Sequence, residues 1–101
     1  MEKIKQKYTK ADIKDFKFKT AEQVKKVLGF NCRTIRGFKN LSKNEQELAE
    51  SLFCKYLNGL GLEARETVRP TNIISEPQNG RFKVRFKKLG FSYLYFNGTV
   101  G

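Results

Sequence analysis

The sequence contains no histidine and no tryptophan, only two cysteines and two prolines, and 10 acidic residues against 21 basic ones. Without histidine the chain lacks the side chain best suited to proton transfer at neutral pH and the commonest metal ligand, so most hydrolytic and zinc chemistry is disfavoured. Cys32 and Cys54 lie in different segments with no second pair; they do not make a zinc site and read as reduced, partly buried thiols. No apolar run approaches the roughly 18 residues a membrane span needs. Residues 1–7 hold no apolar stretch of the kind a secretory signal requires, so a cytoplasmic location is expected. There is no glycine-rich phosphate loop and no Ser or Cys with a His to activate it. Glu45, Glu47, Glu50, Glu63 and Glu66 read as solvated positions rather than a magnesium cluster. Neither catalysis nor a cofactor nor a metal is expected.

What is present suits a small binding module. A length of 101 residues accommodates one domain, and 39% hydrophobic residues, with nine Phe and four Tyr, supply one core. The net charge of +11 points to a polyanionic partner, nucleic acid ahead of a membrane surface. The charge is uneven along the chain. Residues 1–39 carry 12 basic and 4 acidic side chains, residues 40–80 carry 4 and 6, and residues 81–101 carry 5 basic and none acidic. The two ends therefore hold the positive excess and the middle reads as scaffold, with residues 1–10 expected as a flexible basic arm.

Local signals outline an α+β fold: an N-terminal helical part, one central amphipathic helix and a C-terminal three-stranded antiparallel sheet. Thr20 and Gln23 form a capping-box pattern that opens a helix over 21–28, with Gly29 placed to end it in the left-handed conformation. Ser42 and Glu45 open a second helix that runs to Asn58, with Gly59 as its cap. Leu48, Ala49, Leu52, Phe53, Tyr56 and Leu57 form its apolar stripe. Residues 10–19 suit a short helix or a strand equally. Alternation over 62–69 predicts a strand. Residues 70–80, which contain both prolines, read as a long loop with a short extended piece at Ile73 and Ile74. Two further strands, 81–87 and 91–97, are expected around a Lys88-Leu89-Gly90 turn.

Residues 20–39 resemble the helix-turn-helix motif of bacterial and phage DNA-binding proteins. Around the turn glycine, Gly29, the motif's apolar positions fall on Val24, Leu28, Phe30, Ile35 and Phe38. The resemblance implies a second helix in the major groove, with Asn31, Arg33, Thr34 and Arg36 facing bases and Lys25, Lys26 and Lys39 near phosphates. Taken without the motif, residues 31–38 read as a strand or an irregular loop.

The last hairpin carries a second pattern. A Lys88-Leu89-Gly90 loop places Lys87 opposite Phe91, Arg85 opposite Tyr93 and Lys83 opposite Tyr95. All six then face outward, while Phe82, Val84, Phe86, Leu94 and Phe96 face the core. Cations beside rings suit a ligand with phosphates and flat bases. Residues 90–96 also resemble the central RNA-binding strand of RRM domains, with Phe91 and Tyr93 at the stacking positions. That family continues with a helix and a further strand, so an ordinary RRM is not expected of a sequence that stops at Gly101.

The expectation is thus a non-catalytic nucleic-acid-binding protein, with DNA ahead of RNA, acting as an accessory or regulator in a bacterium, phage or mobile element. The alternative is a phage inhibitor of a host defence nucleoprotein, of the anti-CRISPR kind, working through protein or guide-RNA contacts. A winged helix, with the last hairpin as wing, is the architectural alternative.

Overall fold

Three capping boxes set the helical half of the molecule. The computed structural model describes residues 9–87 and 90–100, so Lys3, Lys5 and Lys7 of the expected basic arm lie outside the described residues. Thr9 caps α1 (Lys10–Asp15), Thr20 caps α2 (Ala21–Leu28) and Ser42 caps α3 (Lys43–Asn58). In each, the cap hydroxyl accepts from the third helical N–H while that residue's side chain accepts from the cap's own N–H, so two orphan donors are satisfied at once. Gly29 ends α2 at φ 86°, as its position predicts. Of the two readings of residues 10–19 the short helix holds, over Lys10–Asp15; the residues after it are extended without joining a sheet, and Phe18 N–H and C=O pair with the Asn58 amide at 2.7 and 3.0 Å.

Two segments depart from the sequence reading. Residues 62–69 are not a strand; α4 (Leu62–Thr67) occupies them. The sheet's third strand is instead β1 (Pro70–Glu76), where a loop was expected. It pairs antiparallel with β2 (Arg81–Phe86), which pairs antiparallel with β3 (Gly90–Tyr95), in spatial order β1-β2-β3. Both prolines sit where no ladder hydrogen bond is lost from the strand interior: Pro70 is the first residue of β1 and Pro77 follows its end. The architecture is therefore α+β with a C-terminal three-stranded antiparallel sheet.

One face of the sheet packs on the helices. Ile73, Phe82, Val84, Phe86 and Leu94 are buried against Ala49, Leu52 and Phe53 of α3 and against Cys32, Phe38 and Leu41. The Tyr56 ring stacks on Phe86 at 5.5 Å. A smaller cluster of Phe18, Val24, Cys54 and Leu57 joins α2 and the extended piece to the other side of α3. The expected stripe of α3 holds, with Ala49, Leu52, Phe53 and Leu57 buried and Leu48 and Tyr56 half-buried.

Where the helix-turn-helix resemblance implies a second helix, the chain forms two short 3-10 turns, Cys32–Thr34 and Phe38–Asn40. Between them Gly37 takes φ 92°, which an α-helix does not contain. It also lies against β1, where an added Cβ would fall on the Ile73 carbonyl. Val24 and Phe38 are buried, and Leu28, Phe30 and Ile35 partly so. The motif's five apolar positions are thus buried or partly buried here, and the residues after Gly29 form 3-10 turns rather than an α-helix.

Candidate nucleic-acid interface

Among the described residues no helix packs on the opposite face of the sheet, and its side chains form a grid. Register places Asn72, Arg85 and Phe91 in one row, Ile74, Lys83 and Tyr93 in the next, and Glu76, Arg81 and Tyr95 in the third. Read down the strands, β2 contributes a column of three cations and β3 a column of three aromatic rings. Side chains two apart on a strand are roughly 7 Å apart and neighbouring strands about 4.8 Å apart, so the columns run side by side. The pairing is shifted by two residues from the expected one. Arg85 faces Phe91 rather than Tyr93, and Lys83 faces Tyr93 rather than Tyr95. The turn begins at Lys87 instead of Lys88, which leaves Lys87 exposed beyond the last pair. An even shift keeps every side chain on its expected face.

The rings do not stand bare. Arg81 lies 3.9 Å from the Tyr93 centroid, and Lys83 lies 4.4 Å from that of Phe91. Each cation thus leans diagonally over the ring of the row nearer the turn. Arg85 is 5.8 Å from Phe91. Such pairs contribute about 0.5–1 kcal/mol each at exposed sites, yet Phe91 is still 55% exposed and Ile74 57%. Arg81 is the most committed of the three cations. Its Nε donates to Glu76 at 2.7 Å and its Nη1 to the Tyr95 hydroxyl at 3.2 Å. Hydrogen bonding to Arg81 holds the Glu76 carboxyl below its usual range, and the same bond raises Arg81. The ion pairs among the described residues are this one and Arg33–Glu50, so neither Lys83 nor Arg85 makes a direct ion pair among them, although the Lys83 charge also lowers Glu76 slightly.

The residues expected from the helix-turn-helix pattern disperse. Arg33 pairs with Glu50, its Nε donating at 2.8 Å, and it spans the Phe38 ring at 5.5 Å. Asn31 caps the first 3-10 turn by accepting from Arg33 N–H, and the Thr34 hydroxyl donates to the Asn31 carbonyl. Lys25 and Lys26 are exposed on the last turn of α2, and Lys39 is exposed in the second 3-10 turn. Arg36 alone reaches the sheet: its N–H donates to the Thr71 carbonyl and its carbonyl accepts from Ile73 N–H, a parallel bridge to Asn72. The structure therefore brings together Lys83, Arg85, Phe91, Tyr93, Tyr95 and Arg36, and leaves Arg33, Asn31 and Thr34 bound up in local contacts.

Four members of the face escaped the sequence reading, Arg81, Asn72, Ile74 and Glu76. Arg81 shares the parity of Lys83 and Arg85, and that signal was available. Asn72, Ile74 and Glu76 were hidden by the assignment of their segment to a loop. Two other cations are structural. Arg65, 2% exposed, donates to the carbonyls of Leu60, Ile13, Phe16 and Asn58, and Arg69 donates to those of Arg65, Val68 and Leu28 while covering the Phe30 ring at 4.7 Å. Glu45 and Glu50, expected as solvated, tie elements together. Glu45 accepts from Ser75 of β1 at 2.6 Å, and Glu50 accepts from Ala21 N–H at 2.6 Å.

Among the described residues no three His, Cys, Asp or Glu side chains are grouped as a metal site, and no helix is long and apolar enough to cross a membrane. No protein-family model, no curated protein and no solved structure matches the chain.

Proposed function

We propose that this chain is a non-catalytic, cytoplasmic nucleic-acid-binding protein that holds its ligand on the outer face of the C-terminal sheet, DNA ahead of RNA. One observation carries the reading: a column of cations beside a column of rings on a face the helices leave uncovered. The one carboxylate of the grid, Glu76, is already tied to Arg81. A nucleic acid offers both columns what each lacks. Phosphates draw Lys83 and Arg85 off the rings, and the faces so uncovered accept bases. A role as an accessory or regulator in a bacterium, phage or mobile element fits the size and the charge of +11.

The test is titration of labelled single- and double-stranded oligonucleotides between about 50 and 200 mM salt, where affinity falls steeply as counterions are released. Tyr93→Ala loses about 1–3 kcal/mol of binding to single strands and much less to duplex, whose bases already stack on one another. Binding no tighter than micromolar to every DNA and RNA at low salt overturns the reading. It then favours a protein-directed inhibitor of a host nucleoprotein, for which the exposed Ile74 and Phe91 on the same face speak.

A further inference from the structure

The outer face does not stop at β1. The parallel bridge aligns Arg36 with Asn72, and bridge partners project from the same side of a sheet. The first row of the grid is therefore four residues long: Phe91, Arg85, Asn72, Arg36. Beyond Arg36 the surface falls into a groove of about 580 Å³ between the end of α2 and the start of β1. Lys25, Asn31, Thr34, Arg36 and Arg69 line it, and no carboxylate does. Lys25 and Asn31 also border an adjacent hollow that contains Glu22 and Glu50, and Arg36 borders one that contains Glu45, but Glu50 is tied to Arg33 and Glu45 to Ser75. Arg69 is fixed in the groove by its carbonyl partners, whereas Lys25 and Arg36 are exposed and belong to neither ion pair.

Resting on the reading given under Proposed function, we propose that the ligand is a single strand that turns at Arg85, crosses β1 past Asn72 and Arg36, and enters this groove. The path runs first along β2 and β3, then nearly perpendicular to them. A duplex, stiff over about 150 base pairs, does not make that turn within a few nucleotides, and it offers no free base faces to the ring column. A single strand does both. Three rings take roughly three nucleotides and the crossing about three more, so the footprint is roughly six, within the range of small single-strand modules. Lys25 and Arg36 then meet the far phosphates only when the strand is long enough to reach them.

Oligothymidylates of three to twelve nucleotides measure this by fluorescence anisotropy. Wild-type affinity climbs with length and levels off near six to eight nucleotides. The double variant Lys25→Ala, Arg36→Ala binds a four-nucleotide probe like the wild type but an eight-nucleotide probe at least tenfold more weakly, with a shallower salt dependence. Both side chains are exposed and the Arg36 bridge is made by backbone, so thermal unfolding stays unchanged. Equal loss on both lengths, or no loss on either, overturns the path while leaving the sheet reading intact. Retained four-nucleotide binding in a Lys83→Ala, Arg85→Ala variant overturns the sheet reading itself. Tighter binding of a twelve-base-pair duplex than of the single strand, lost equally in the groove variant, overturns the choice of ligand.

Discussion

Arg65 shows that a residue's charge does not announce its role. Its guanidinium sits inside the helical half and spends its donors on four carbonyls from two stretches of chain, 13–16 and 58–60, at 2.6 to 3.1 Å, with the Phe18 ring at 5.4 Å. Burial lowers its pKa, and the Asp15 charge partly offsets that. Removing the side chain leaves those carbonyls without partners, so Arg65→Ala is expected to destabilise the fold by about 3 kcal/mol or more. Arg65→Lys recovers little, because one ammonium cannot reproduce a planar fork. Chemical denaturation of both variants measures the difference. The two thiols make a second case. Burial pushes Cys32 up to about 12 and Cys54 to about 11 from an ordinary 9.0, with the Glu50 charge adding to both. Unfolded thiols ionise near pH 9 while the folded ones stay protonated. Their contribution to stability is therefore complete below that pH and drains away as pH rises through the folded values. At pH 8 a thiol reagent is expected to label the native protein far more slowly than the denatured chain.

At the scale of elements, the fold was legible wherever a local rule had only one structural meaning. The capping boxes at Thr20 and Ser42 place α2 and α3 because hydroxyl and carboxamide or carboxylate, three residues apart, satisfy the same exposed N–H groups in any context. Alternation identifies the faces of β2 and β3 but not their pairing, since a shift by two preserves it; the turn decides, and it lies one residue earlier than expected. In α4 a cation occupies a core position, so the 3.6-residue period reads as broken and the segment passes for a strand. In β1 the prolines at its margins suggest a loop. Gly37 joins these elements: it lets the 35–38 segment lie against β1 and so aligns Arg36 with the sheet. Gly37→Ala meets both a left-handed backbone and the Ile73 carbonyl. Gly29→Ala meets only a left-handed backbone, at φ 86°, with open space around it. Gly29→Ala is expected to cost about 1 kcal/mol and Gly37→Ala clearly more, a ranking that thermal unfolding checks.

Across the whole molecule, the net charge of +11 is less informative than its division of labour. Arg65 and Arg69 hold the scaffold, Arg33 and Arg81 are paired with carboxylates, and Lys83, Arg85, Arg36 and Lys25 make no direct ion pair among the described residues. Salt dependence separates these groups. Lys83→Ala or Arg85→Ala should shallow the slope of log affinity against log salt by about 0.7–0.9 each, whereas Arg33→Ala should leave it unchanged. Had the second helix existed, Arg33 would have been a base reader and the ranking would reverse. The clasp around Arg65 also has a consequence in time. Helix α1 buries none of its residues, and Arg65 Nη1 holds its end through the carbonyls of Ile13 and Phe16. That grip needs α4 in place at the end of α3, so α1 is expected to dock after α4 and to open before the sheet does. Its amides should exchange with solvent through an opening that leaves the sheet protected, and Arg65→Ala should speed that exchange.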